Sequence, residues 1–285
     1  GDPTAGERGR VVATANGVHG ILSKAKATRI ANVYSGVDAT GSVAAANSIG
    51  ITLESTAVGS TVGDANAGAD GLVVLSGNTD TACLVYAPRA VIVNTYVGVA
   101  ADGVTPVPNA GNGIFLLDSA VGASVGQTLA ETSADAVQHT RVVVSGNLRQ
   151  GVLIQALDCV FEHVYVGVGA DGKTPVPNHD HGIFWNAVVR SRNPNDRTTT
   201  TIIGPGAIIS GNHLSGLFVS TPLQSPDNLI VTGSLIGLVD PSNAAFQTAV
   251  TEGNALVDIG AQFTAAGNFQ HGIELALQAN GAVSV

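Results

Sequence analysis

The sequence predicts an all-β fold: a parallel β-helix, a solenoid of roughly nine coils with long loops inserted in alternate coils. Three observations predict it. The stretch Val164–Trp185, VYVGVGADGKTPVPNHDHGIFW, recurs almost letter for letter at Thr95–Leu116, TYVGVAADGVTPVPNAGNGIFL, with a worn copy at Val33–Leu53 and a looser one beginning at Ser234. A shorter motif, Asn followed by three residues, a small residue and an apolar pair, begins at Asn16, Asn78, Asn147, Asn212 and Asn268. The composition agrees: there are 36 glycines, no methionine, and only 12% charged and 4% aromatic residues. A chain rich in small and β-branched residues and poor in Leu, Lys and Glu argues against helices.

The two motifs keep register, because Asn16 to Tyr34, Asn78 to Tyr96 and Asn147 to Tyr165 are equally spaced. The fourth unit has a longer connection, STPLQSPDN. Each motif reads as a short alternating strand, a tight turn and another short strand. In Val142–Ile154, VVVSGNLRQGVLI, the turn is Gly146-Asn147, a pair that tolerates positive φ. In VYVG…HGIFW the same pattern carries an insertion at the turn. A bare coil of ~20 residues with strands this short fits a parallel β-helix, and roughly nine coils at ~4.8 Å each make a rod ~40–45 Å long.

Stacking turns equivalent letters into vertical neighbours. Ile21, Cys83, Val152, Leu217 and Ile273 share one offset and predict an interior column. Asn16, Asn78, Asn147, Asn212 and Asn268 predict an asparagine ladder at the turn. Tyr34, Tyr96 and Tyr165 recur in register and read as a structural column. The insertions, Val37–Asn47, Val99–Asn109, Val168–Asn178 and roughly Leu238–Thr251, should leave one corner in every second coil, ~10 Å apart. Two prolines stiffen each TPVPN end. A second set of connections, Asp118–Gln138, Asn186–Thr201 and Ser55–Ala69, reads as polar loops. No linker splits the chain, so residues 1–285 read as one β-helix domain. Its ends lack polar caps, which suggests a segment of a longer chain or a filament.

Charge and composition exclude several function classes. The formal charge of −9 argues against nucleic acid as a partner, since phosphate binding needs clustered Lys and Arg. No apolar run reaches the ~18 residues of a membrane span. Two cysteines, Cys83 and Cys159, cannot form a disulfide framework. They fall at different places in coils ~10 Å apart, beyond the ~7 Å Cα limit for a bridge, and read as buried free thiols.

Candidate chemistry centres on His179, Asp180 and His181, with Asp171 and Lys173 nearby. The group suits an acid/base or metal cluster. The sister copy reads Ala110-Gly111-Asn112 there, so folding does not require histidine, and the competing reading is a variable polar loop end. Asp102 and Asp171 occupy equivalent Asp-Gly positions. Asp-Gly forms turns, while a column of carboxylates would suit Ca²⁺. No other cofactor is expected. Trp185 is the only tryptophan, so aromatic faces for stacking on sugars are scarce. The run Thr198–Thr201 is contiguous rather than one per coil, which disfavours a flat ice- or mineral-binding array and leaves O-linked sugars as an alternative.

The alternation of VVVSGNLRQGVLI with VYVGVGADGKTPVPNHDHGIFW, and of VVLSGN with TYVGVAADGVTPVPNAGNGIFL, resembles repeats in right-handed parallel β-helix proteins of the pectin-lyase-like superfamily. The resemblance covers most of the chain. It implies a right-handed helix and an extracellular or cell-surface setting. Sister branches cleave or epimerise acidic polysaccharides, but their Asp-Pro-His element and basic uronate-binding cluster are not matched here. Two functions are therefore expected in competition. One is a non-enzymatic structural or adhesive rod that self-associates end to end or through its loops, or binds polysaccharide. The other is a polysaccharide lyase, hydrolase or epimerase using His179, Asp180, His181, Asp171 and Lys173.

Overall fold

The structure, a computed structural model, describes residues 2, 4, 9–127, 139–186, 200–220, 228–237, 256–257, 273–275 and 282–284. Its backbone winds as a right-handed parallel β-helix. Each regular coil gives one short strand to each of three parallel sheets. The first sheet has nine strands, from Val11–Ala13 to Leu256–Val257. The second and third have eight each, starting at His19–Ser23 and Arg29–Ile30. Coils are counted below by their strand in the first sheet. Coil lengths alternate as the repeats require. Val11 pairs with Val33, Val73 with Thr95 and Val142 with Val164 after one short turn of chain. The steps from Val33 to Val73 and from Thr95 to Val142 are much longer.

The strands are short because each needs to present only one or two side chains inward. In the second sheet, Cys83–Val85, Ile114–Leu116, Val152–Ile154, Ile183–Trp185 and Leu217–Val219 all bury their outer letters and half-expose the middle one. That is the period of two expected of a strand with one face on a core. The predicted column forms, and the insertion-bearing coils complete it. Ile21, Ile51, Cys83, Ile114, Val152, Ile183, Leu217 and Ile273 follow one another in register. The members from Ile51 to Leu217 are fully buried, and Ile21 and Ile273 pack against the same core. Trp185 is also fully buried, one place beyond Ile183 and Phe184.

The third sheet was not expected as such. Its strands Thr61–Val62 and Ser124–Val125 lie within stretches that read as loops, and Thr200–Ile203 begins in one. The first two are pairs of residues, too short to show an alternating pattern, and only their stacked neighbours make them strands. Thr201, in the run considered for sugar attachment, is buried in this sheet. Asn268 and the fourth insertion, Leu238–Thr251, lie outside the described residues.

The asparagine ladder is denser than the motif implied. The residues that end the insertions, Asn47, Asn109 and Asn178, interleave with the motif asparagines to place one in each of coils one to seven. Each side-chain amide donates to the Oδ1 of the next: Asn16 to Asn47 at 2.8 Å, Asn47 to Asn78 at 3.2 Å, and Asn78 to Asn109 at 2.9 Å. The series continues from Asn109 to Asn147, Asn147 to Asn178 and Asn178 to Asn212, each at 2.9 Å. The glycine that closes VYSG, TYVG or VYVG makes room for it. Gly98 has φ +80°, and a Cβ there would lie 2.2 Å from the Ser145 carbonyl oxygen and 2.6 Å from Asn147 Oδ1.

Two outcomes follow. Asn147→Ala removes the acceptor of the buried Asn109 amide and the donor to Asn178. An unsatisfied buried polar group costs about 1–3 kcal/mol, so denaturant unfolding should show at least that loss, whereas Asn16→Ala at the end of the row should cost less. Cys83 and Cys159 are buried and unpaired, and burial pushes both thiols up to about 12. Thiol titration near neutral pH should find neither in the folded protein and both in unreduced, denatured protein.

Candidate functional site

The predicted cluster sits on the turn between the first and second sheets in coil six, directly after Asn178. Its side chains reach the neighbouring coils. Asp180 accepts a hydrogen bond from Gln150 Nε2 in coil five at 2.9 Å, while its backbone carbonyl accepts from the Leu214 N–H in coil seven at 3.2 Å. The exposed His179 ring meets the His213 ring of coil seven edge-on, with centroids 4.6 Å apart. His181 Nδ1 accepts from the Ser215 N–H at 3.3 Å. Its ring stacks on Phe218 with centroids 4.4 Å apart and planes 19° from parallel. The two coil-six imidazoles therefore engage different partners. Burial, then the neighbouring His179, holds the His213 imidazole below its ordinary value.

Asp171 and Lys173 lie at the exposed tip of the coil-six insertion. Asp171 accepts from the backbone N–H of Lys173 and Thr174, both at 2.9 Å, and from the Thr174 hydroxyl at 2.6 Å. Asp102 accepts from Val104, Thr105 and the Thr105 hydroxyl in the same way. Partial burial works to raise both carboxyls, but the threonine hydroxyls and backbone donors outweigh it and hold them below the ordinary carboxylate value. Asp102 and Asp171 are thus turn formers whose oxygens their own loops occupy. Among the described residues, no group of three or more His, Cys, Asp or Glu is placed to hold a metal ion.

In the first insertion Thr40 stands at the position equivalent to Asp102. The carboxylate comes instead from Asp38, two residues upstream, which accepts from the Thr40 hydroxyl at 2.7 Å and from the Ser42 and Val43 N–H groups at 3.2 Å. The Thr40 hydroxyl, foremost, keeps Asp38 below the ordinary value.

The insertions do not stand apart from one another. Each is closed by a bridge, Val37 to Ala44, Val99 to Pro106 and Val168 to Pro175. Successive tips then join directly: the Ala101 N–H donates to the Gly41 carbonyl and the Ala170 N–H to the Gly103 carbonyl, each at 2.9 Å. A Cβ on Gly103, at φ +77°, would lie 2.6 Å from the Ala170 Cβ. Together they roof the outer face of the first sheet, where Tyr34, Tyr96 and Tyr165 alternate in register with Val74, Val143 and Ile208. Arg10 lies over the Tyr34 ring and Arg141 over Tyr165, each 4.2 Å from the centroid.

One surface escaped sequence reasoning. On the outer face of the second sheet, Leu84, Phe115, Leu153, Phe184 and Phe218 form a half-buried line in register. Phe184 and Phe218 lie 5.1 Å apart. The available signal was the middle letter of CLV, IFL, VLI, IFW and LFV. Comparison of the chain with family models, with curated proteins and with solved structures finds no match.

Proposed function

We propose that this chain is a non-enzymatic, rigid rod module of an extracellular or cell-surface assembly, acting in adhesion or in building a matrix or filament. One observation supports this reading: of the five candidate residues, the side chains of Asp171, His179, Asp180 and His181 are engaged in joining coils or closing turns. Asp180 is tied to Gln150, His179 to His213, and His181 to Ser215 and Phe218. Asp102 and Asp171 cap their own loops. A catalytic site needs an acid, a base and a space between them for the reacting atom, and these groups face structural partners instead. The resemblance of the repeats to pectin-lyase-like β-helix proteins supports the extracellular setting. The partners would be further copies, meeting end to end or along the insertion roof, or a polysaccharide lying on a flat side.

A second reading is favoured by the phenylalanine line beside His179, Asp180 and His181. A flat apolar ledge edged by titratable groups suits a lyase, hydrolase or epimerase acting on an acidic glycan. The two readings separate cleanly. Light scattering and electron microscopy should show rods that join, or that coat an acidic glycan such as pectin or alginate, with no release of unsaturated or reducing uronate ends. A strictly monomeric particle that binds no glycan contradicts the first reading. Turnover or epimerisation that His181→Ala abolishes would establish the second.

A further inference from the structure

Three of the seven histidines, His179, His181 and His213, occupy equivalent turns of two successive coils. The same turn reads Thr79-Asp80-Thr81 in coil three, Ala110-Gly111-Asn112 in coil four and Leu148-Arg149-Gln150 in coil five. In coils two to five the turn forms without histidine, while in coil one His19 stands there, its Nδ1 2.9 Å from the Thr52 hydroxyl. In coils six and seven the imidazoles form the contact between coils, and two of their three interactions require the neutral ring. From this geometry we infer that the turn is a pH-sensitive seam, closed while His179, His181 and His213 are neutral and loosened when they take up protons.

His181 Nδ1 can accept the Ser215 N–H only while its lone pair is free. A proton on Nδ1 would set one donor against another. His179 and His213 meet with centroids 4.6 Å apart, so a second positive charge there is opposed by the first. The stack of His181 on Phe218 survives protonation, since a cation over an aromatic face is attracted, and it does not oppose the switch. Across the three packed turns the other charged groups are Arg149 and Asp180. Arg149 adds positive charge from coil five. Asp180 favours protonated neighbours, and its carboxylate is engaged by Gln150.

The sign follows from the neutral form being the one that packs. His213 lies below the ordinary 6.5 because of burial and then His179. Its contribution is fully present above that value and is lost as pH falls through the lower, folded one. His163, at the corner between the third and first sheets, is shifted the same way by burial, so acid acts there as well. The test must therefore localise the response.

Hydrogen exchange, corrected for the intrinsic rate, should be compared at about pH 7.5 and about pH 5, either side of the ordinary histidine range. The bonds at the seam run from the Gly182 N–H to Ser215, from Ile183 to Gly216, from His213 to Asn178 and from Leu214 to Asp180. These amides should exchange about tenfold faster at the lower pH, the factor carried by one unit of differential pKa. The equivalent amides of Ala82, Cys83, Gly113 and Ile114 should not change. The triple variant His179→Gln, His181→Gln, His213→Gln keeps polar side chains that do not titrate in this range, and the response should vanish. A seam that responds no more than coils three and four, or a response that persists in the triple variant, overturns the inference. Should that variant fail to fold, NMR titration of the histidines in the unaltered protein decides: midpoints below the ordinary value for His181 and His213 support it, and midpoints at or above that value overturn it.

Discussion

From Asn16 to Asn212, one side-chain amide per coil passes a hydrogen bond to the coil after it, and the rest of the rod is fitted around that column. Except for Asn16, these amides are buried, so each must find partners inside the protein or carry a desolvation penalty. The column therefore selects register. A coil displaced by one residue would lose its amide partners and turn its apolar letters outward. The interior columns of Ile, Val, Leu and Cys supply the burial free energy, at about 1.5–3 kcal/mol for a fully buried large aliphatic side chain, and the asparagines determine which residues stack.

The same constraint explains why loops of unequal length are tolerated. Most steps along the ladder span 31 residues, but Asn109 to Asn147 spans 38 and Asn178 to Asn212 spans 34. The additional residues fall between Val125 of the third sheet and Val142 of the first in one step, and between Trp185 of the second sheet and Thr200 of the third in the other. Closing a longer loop costs little more than closing a short one, because the entropy grows only with the logarithm of length. The insertions are the exception to free variation. They are stitched to one another through Gly41, Ala101, Gly103 and Ala170, and they seal the tyrosine face of the first sheet.

Much of this was legible in the sequence, and the reasons are local. Two near-copies of one motif reveal stacking, and the shared offset of Ile21, Cys83, Val152 and Leu217 locates an interior column. What escaped depended on distance in space rather than in sequence. Asn47, Asn109 and Asn178 read as the ends of insertions, and only the closed loops return them to the ladder. Most strands of the third sheet are two residues long, too short to show alternation. Asp38 replaces a carboxylate two places away, which letter-by-letter alignment cannot register. The phenylalanines looked sparse when counted along the chain, yet coil stacking brings three of them into one line. The histidine cluster was visible as a dense group of titratable residues, but its partners His213, Ser215 and Phe218 lie one coil away.

If amide transfer along the asparagine column sets the register of the rod, the side-chain amides themselves should report it. NMR-detected hydrogen exchange of the Nδ2 groups of Asn78, Asn109, Asn147 and Asn178 tests this most directly. The account predicts that each has a proton protected as strongly as the backbone amides of the adjoining strands. Exchange of these groups at the rate of free, solvated side-chain amides, in a protein whose strands remain protected, would contradict it.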